Sequence, residues 1–432
     1  MHYRPEIDGL RAIAVVPVIF FHAGFDFIGG GFAGVDVFFV VSGFLITSII
    51  HREIREGRFS IVSFYERRAR RLAPALFFVC VVSAIFAVMW MLPQELNDFG
   101  KSLYAINLFG SNFVFWNETG YFAPSSELMP LLHTWSLAVE EQFYIVLPLF
   151  LLALRRYPVE TVLKVLVAGC VLSFGATQIL ARVDPAANFY LLPSRLWELG
   201  VGAMLALAGE DYSRLSKGFR EFAAGFGLFA IVASYLLVRE SAFYPGWTTV
   251  PVVLGTASVL AFGRADTLVG RLLCARPLVA IGLISYSLYL WHQPVLAFAR
   301  LRAIDEIPPV GYILLLGLCL VLAYLSWRYI ELPFRKPARV ARGVVFALTL
   351  TVGGAAMVAG LSLDGTDGFA SRNRELARLI EPSVGLAKEC DAVIDLKCAT
   401  SPKPEMRSGA TPTPGISSTA SSLRNPTCGW CN

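Results

Sequence analysis

Charge is scarce in this chain. Only 16% of its 432 residues are Asp, Glu, Lys or Arg, against about 25% in a typical soluble domain. That shortage excludes an intrinsically disordered chain, a fibrous repeat and a single soluble globule. Cysteine supplies no disulfide framework either, since eight are scattered over a chain of this length. Cys80, Cys170, Cys274 and Cys319 lie in apolar runs, and Cys390, Cys398, Cys428 and Cys431 in a polar tail. A small-residue cleavage pattern is missing after the first apolar run, and a second run follows almost at once, so the first is no signal peptide. What is present is apolar: 56% hydrophobic residues and a mean hydropathy of +0.60. Only helices and closed barrels satisfy the backbone inside a bilayer. Barrel strands alternate weakly over about ten residues, whereas the runs here are long and continuous. The fold class is therefore an all-α polytopic membrane protein.

Eleven stretches are long enough to span, near 12–28, 32–50, 73–93, 131–154, 159–181, 192–208, 219–238, 247–263, 276–299, 310–330 and 343–363. The stretch 102–116 reads as a further re-entrant or interfacial piece. With the N-terminus cytosolic, inner segments hold 23 Lys and Arg and outer loops hold six, as the positive-inside rule requires. That orientation puts residues 364–432 outside. There Cys390 and Cys398 would meet a compartment that permits a disulfide; two free thiols in a linker is the alternative.

Ionisable residues inside spans are costly and are functional candidates by default. Arg11 and His22 are eleven residues apart, close to three turns, so they share a helix face about 16 Å apart along the axis. His133 and Glu140 share a face of the fourth span, with Ser136 one turn before Glu140. Glu140 and its neighbour Glu141 lie near mid-membrane, where at least one must be protonated or paired. His292 falls in the outer half of the ninth span and Asp36 near the outer end of the second. Packing histidines and a structural ion pair are the plainer readings of the same residues. Glu331 and Arg335 frame the inner end of the tenth span, where anchoring is the simpler role. The inner loop ERRARRLAP brings together Arg67, Arg68, Arg70 and Arg71. Arginine's planar fork suits phosphate, so the loop either contacts anionic lipid as a topology determinant or binds a phosphorylated ligand.

These motifs resemble the acyltransferase-3 family of membrane acyltransferases. The matching stretches run in order: RPEIDGLRAIAV with His22, GGGFAGVDVFFVVSGFLIT, RRARRLAP, HTWSLAVEEQFY, RLWELGVGA, SYSLYLWHQP and WRYIELPFR, over residues 3–335. The resemblance implies a bacterial inner-membrane enzyme that passes an acyl group, usually acetyl, from cytosolic acyl-CoA to a hydroxyl of an envelope glycan such as lipopolysaccharide O-antigen. It implies His22 as catalytic residue, Arg11 as its motif partner, and acetyl-CoA held by Arg11, Arg67, Arg68, Arg70 and Arg71. Glu140 takes an acceptor-side or acid/base role, with Glu140 or Asp36 as the carboxylate that orients His22. His133, Trp135 and His292 are the candidates for contacting substrate. An imidazole there deprotonates the hydroxyl or carries the acyl group itself. Neither a metal nor a nucleic acid is expected.

The domains expected are the acyltransferase region 1–340, an added span 341–363, a linker 364–405 and a remnant 406–432. An eleventh span and an outward tail resemble the subgroup with an extracytoplasmic SGNH hydrolase-like domain, yet only 69 residues follow residue 363. Residues 406–416 read MRSGATPTPGI, and one shifted frame permits Trp-Gly-Asp-Ser-Tyr-Ala-Trp-His, containing the Gly-Asp-Ser that opens SGNH domains. The expectation is a frameshifted, truncated product after Glu405. The competing function class is a secondary transporter, which also buries carboxylates and histidines. It calls for inverted internal repeats, and no convincing repeat is present.

Overall fold

The computed structural model describes residues 3–118, 126–209, 215–239, 241, 243–336 and 338–370. The expectations for Cys390, Cys398, Cys428, Cys431 and the reading frame after Glu405 fall outside the described residues.

The described chain is a bundle of helices: α1 (Pro5–His22), α2 (Gly34–Arg55), α3 (Ile61–Trp90), α4 (Pro93–Asn107), α5 (Ser111–Asn117), α6 (Thr134–Ala153), α7 (Val159–Val183), α8 (Pro185–Tyr190) and α9 (Leu192–Ala208). It continues with α10 (Lys217–Leu237), α11 (Val250–Phe262), α12 (Leu268–Leu273), α13 (Arg276–Arg302), α14 (Pro309–Ser326), α15 (Leu332–Arg335) and α16 (Arg342–Gly365). Each expected span overlaps a helix, although α1 ends at His22, short of the expected residue 28, and α11 is a short helix. Starts are set by local chemistry: Ser60 accepts from the Ser63 amide at 3.3 Å to cap α3, and prolines open α1, α4 and α9.

Among the described residues, eight helices are long and apolar enough to cross a membrane. The other expected spans fail that test for physical reasons. Helix α11 has 13 residues, α1 carries Glu6, Asp8 and Arg11 in its first turns, and α13 carries Ser285, Ser287, His292 and Gln293. Helices α1 and α13 pack against each other, so the polar helices shelter one another. Peripheral helices expose large apolar side chains instead, such as Leu172 on α7 at 75%, Leu314 on α14 at 70% and Leu350 on α16 at 74%. Lipid is the solvent that such a surface fits.

Close helix contacts rest on small residues. A Cβ on Gly43 would stand 1.9 Å from the Leu199 carbonyl oxygen, and one on Gly202 2.0 Å from that of Val40. Helices α2 and α9 therefore touch backbone to backbone. Gly282 does the same for α13 on α1, where a Cβ would meet the Asp8 carbonyl oxygen at 1.8 Å. The stretch expected to be re-entrant forms the turn between α4 and α5 at Phe109, whose φ is +52°. Gln142 on α6 donates to the Phe109 carbonyl at 2.8 Å and to Asn112 Oδ1 at 2.9 Å, pinning that turn against the bundle.

Candidate functional site

Helices α1, α2, α3, α6 and α13 enclose a cavity of about 180 Å³. At one end stand Arg11, Arg68 and Arg71; Glu140 and Tyr144 follow; Ser136, Phe38 and Tyr289 close the other end. The three arginines differ in what holds them. Arg68 donates to Glu141 Oε1 at 3.1 Å, and its guanidinium carbon lies 4.0 Å from the centre of the Tyr144 ring. Arg11 meets Asp8 Oδ1 at 3.4 Å. Arg71 has no hydrogen bond, and no ion pair within 4.0 Å, among the described residues. A half-buried guanidinium facing a cavity has the donors and charge that suit an anion.

The neighbouring carboxylates divide their work. Glu141 neutralises Arg68, while Glu140 accepts from Ser42 Oγ at 2.8 Å and from the Tyr144 hydroxyl at 3.2 Å. Glu140 thus faces the cavity on hydroxyl donors rather than on a cation of its own.

Beyond Tyr289 lies a cluster of imidazoles. The ring centres of His22 and His292 are 5.1 Å apart, and those of His292 and His133 are 5.5 Å apart. Tyr289 sits against both His133 and His292, with centres at 5.5 and 5.1 Å. Its hydroxyl meets Ser136 Oγ at 2.7 Å and donates to the His133 carbonyl at 3.1 Å. It therefore forms the partition between cavity and cluster. His22 Nδ1 lies 2.8 Å from the Val18 carbonyl oxygen. That bond requires the proton on Nδ1, which leaves Nε2 with its lone pair free. Among the described residues, His292 Nε2 is buried without a partner, and the buried His133 ring has no polar neighbour beyond the Pro130 backbone. Buried polar atoms without a protein partner are satisfied by water or by the polar groups of a ligand. Among the described residues, no group of His, Cys, Asp and Glu is arranged to hold a metal ion.

Several expected site residues lie elsewhere. Asp36 is fully buried on α2, where its Oδ1 accepts from Arg195 at 2.7 Å and its Oδ2 from Tyr244. Arg195 also donates to Glu198 at 2.8 Å. Neither Asp36 nor Glu140 hydrogen-bonds His22, whose Nδ1 is turned to its own helix. Asp36 therefore belongs to an ion cluster with Arg195, because a buried charge takes the nearest opposite charge. Trp135 joins the same cluster, with the Arg195 guanidinium carbon 5.4 Å from its ring centre. Arg67 and Arg70 turn away from the cavity. Arg67 pairs with Glu53 at 2.9 Å, whereas Arg70 pairs with Glu66 at 2.8 Å and donates to the Val340 carbonyl at 2.8 Å.

The sequence reading missed Ser42, Tyr144 and Tyr289. Their only signal was membership of the ordered motifs. It also missed the link of Glu331 to Ser287 Oγ at 2.9 Å. That link depends on a π-helical turn, Trp327–Glu331, which swings Glu331 inward.

Comparison with known proteins decides the family. The acyltransferase domain matches residues 4–328. The chain belongs to the acyltransferase-3 family. Among the relatives of this family member is the O-acetyltransferase OatA of Staphylococcus aureus (strain NCTC 8325 / PS 47). It is 31% identical over 352 residues, covering 77% of this chain and 57% of the relative. The peptidoglycan O-acetyltransferase OatA of Listeria monocytogenes serovar 1/2a is 32% identical over 350 residues, covering 77% and 56%. A putative O-acetyltransferase of S. aureus (strain MSSA476) is 31% identical over 354 residues, covering 78% and 58%. The chain thus spans less than three fifths of these relatives. No solved structure matches it. The acyltransferase domain takes in every helix that lines the cavity and leaves α16 outside.

Proposed function

We propose that the protein is a membrane O-acetyltransferase that moves an acetyl group from acetyl-CoA to a hydroxyl of a cell-envelope polysaccharide. The observation that carries this reading is Arg71, an unpaired guanidinium at the mouth of a cavity whose far end abuts three histidines. Arg71 and Arg11, with Arg68 beside them, receive the donor's phosphates from the cytosolic side, and the pantetheine arm lies along the cavity. Arg67 and Arg70 act as anchors of α3. Tyr289 moves aside to let the thioester meet the imidazoles. His22 Nε2 takes the acceptor's proton, the hydroxyl oxygen attacks the thioester carbonyl, the C–S bond breaks as the ester C–O bond forms, and the thiolate leaves with a proton. Glu140, held by Ser42 and Tyr144, supplies or stores that proton. His133 and His292 hydrogen-bond the acceptor, while Asp36 and Trp135 hold Arg195 and the helix frame.

The name of the Listeria relative favours peptidoglycan as the acceptor over the lipopolysaccharide expected from the sequence. Proteoliposomes supplied with acetyl-CoA labelled in the acetyl group test the reading. Release of CoA thiol with label appearing as alkali-labile ester on added peptidoglycan fragments supports it. Solute flux with the thioester intact replaces it with the transporter.

A further inference from the structure

Helix α16 lies beyond the acyltransferase domain, yet it completes a second cavity. This space, about 430 Å³, lies between α3, the α4–α5 turn, α6 and α16. Its walls are largely apolar, including Leu76, Phe77, Ile106, Phe346, Leu350 and Met357. The space opens toward the outer surface, where Leu350 is 74% exposed, and walls of that lining take hydrocarbon. Arg68, Leu72, Leu137 and Tyr286 line both this space and the arginine cavity, so they stand between the two. Leu72 and Leu137 are only half-buried because there is room on either side of them. Tyr286 is less free to yield, since its hydroxyl donates to the Leu72 carbonyl at 2.9 Å. Leu137 follows Ser136 and precedes Glu140 by one turn, beside the path given above to the donor's thioester.

We propose that Leu72 and Leu137 form the wall that fixes the length of the transferred acyl group, and that the α16 cavity behind them is a hydrocarbon-chain site. The inference rests on the acyl-transfer reading and adds the specificity element to it. The bonds broken and formed are unchanged; only the length of chain that fits changes. An acetyl group ends at the wall, and a medium-length chain collides with it. Thinning the wall joins the cavities and gives such a chain an apolar place.

The test compares acetyl-CoA with octanoyl-CoA as donors to the reconstituted full chain, in Leu137→Ala, Leu72→Ala and the milder Leu137→Val. Each newly buried methylene is worth roughly fourfold, so even partial burial of the longer chain raises the octanoyl-to-acetyl ratio of kcat/KM at least tenfold. Gly354 provides the control. It lines the second cavity, and a Cβ there meets nothing within 4 Å. Gly354→Phe has room for its Cβ and sets a ring at the edge of that space, so it should leave acetyl transfer unchanged on its own and reduce the octanoyl gain when combined with a wall variant. Wall variants that keep acetyl transfer without gaining octanoyl transfer overturn the proposal, as does a gain that Gly354→Phe leaves intact. Absence of acetyl transfer by the unmodified protein would bring down the acyl-transfer reading instead, and this inference with it.

Discussion

Arg68 and Arg71 stand one turn apart on α3 and face the same cavity, yet their replacement should have opposite consequences. Arg68→Ala strands Glu141, which is held at 3.1 Å and whose side chain is 12% exposed. Removing one partner of a buried pair costs about 3–5 kcal/mol, and the stacking on Tyr144 is lost as well. Arg71→Ala strands nothing. Three of the charges that act on it, Arg11, Arg335 and Arg68, repel it, and Glu331 attracts it. Its removal should leave stability within about 1 kcal/mol of the parent or raise it. Donor binding reverses the order of interest. A charge-assisted hydrogen bond to phosphate contributes about 1.5–3 kcal/mol, so Arg71→Ala should weaken acetyl-CoA binding about 10- to 150-fold. Thermal unfolding in detergent and titration calorimetry with acetyl-CoA measure the two quantities on the same sample. An Arg71→Ala protein as unstable as Arg68→Ala, or one that binds acetyl-CoA within twofold of the parent, refutes the reasoning.

Other outcomes follow from the same geometry. Glu140→Gln keeps its contacts to Ser42 and Tyr144 and should retain its Tm to within a few degrees while acetyl transfer falls by about 10²-fold or more. Asp36→Ala should do the reverse: it removes one of two carboxylates on Arg195 and orphans Tyr244, so about 3–5 kcal/mol of stability disappears and activity falls only with the folded fraction. Outside the spans, burial, with the Asp98 carboxylate adding to it and the Lys101 ammonium opposing, pushes the Glu118 carboxyl up to about 7. Its folded pKa lies above its unfolded one, so the protonated form favours folding and stability declines as pH rises from about 4.5 to about 7. Glu118→Gln should match the parent in Tm at pH 4.5 and exceed it at pH 8; equal values at both would remove the burial argument.

How much of the site could be read from the sequence depended on whether a partner was near in the chain. Arg11 and His22 were legible because helical periodicity alone puts them on one face. The arginine loop was legible as a cluster but not as a site. Arg68 and Arg71 share one face and Arg67 and Arg70 the next, and only packing against α6 and the α15–α16 connection decides which pair meets the cavity. Asp36 lies in the first turn of α2, yet its partner lies 159 residues away, and no local pattern couples α2 to α9. The partition at Tyr289 and the wall at Leu72 and Leu137 are apolar or aromatic residues in apolar helices. Only their neighbours distinguish them from packing. The helical membrane class was plain because lipid demands long apolar helices. Helices α1 and α13 depart from that rule because α1 carries Glu6, Asp8 and Arg11 and α13 carries Ser285, Ser287, His292 and Gln293, and α11 departs from it by being short.

The central claim is that His22 Nε2 performs the transfer. The direct measurement is alkali-labile acetyl ester on peptidoglycan fragments, formed by proteoliposomes loaded with labelled acetyl-CoA, compared between the parent and His22→Ala. Because, among the described residues, the His22 side chain hydrogen-bonds only the Val18 carbonyl through Nδ1, the variant should unfold at nearly the parent's temperature and bind acetyl-CoA normally. Its ester formation should fall at least 10²-fold. A folded His22→Ala protein that acetylates the glycan at the parent's rate would contradict the account.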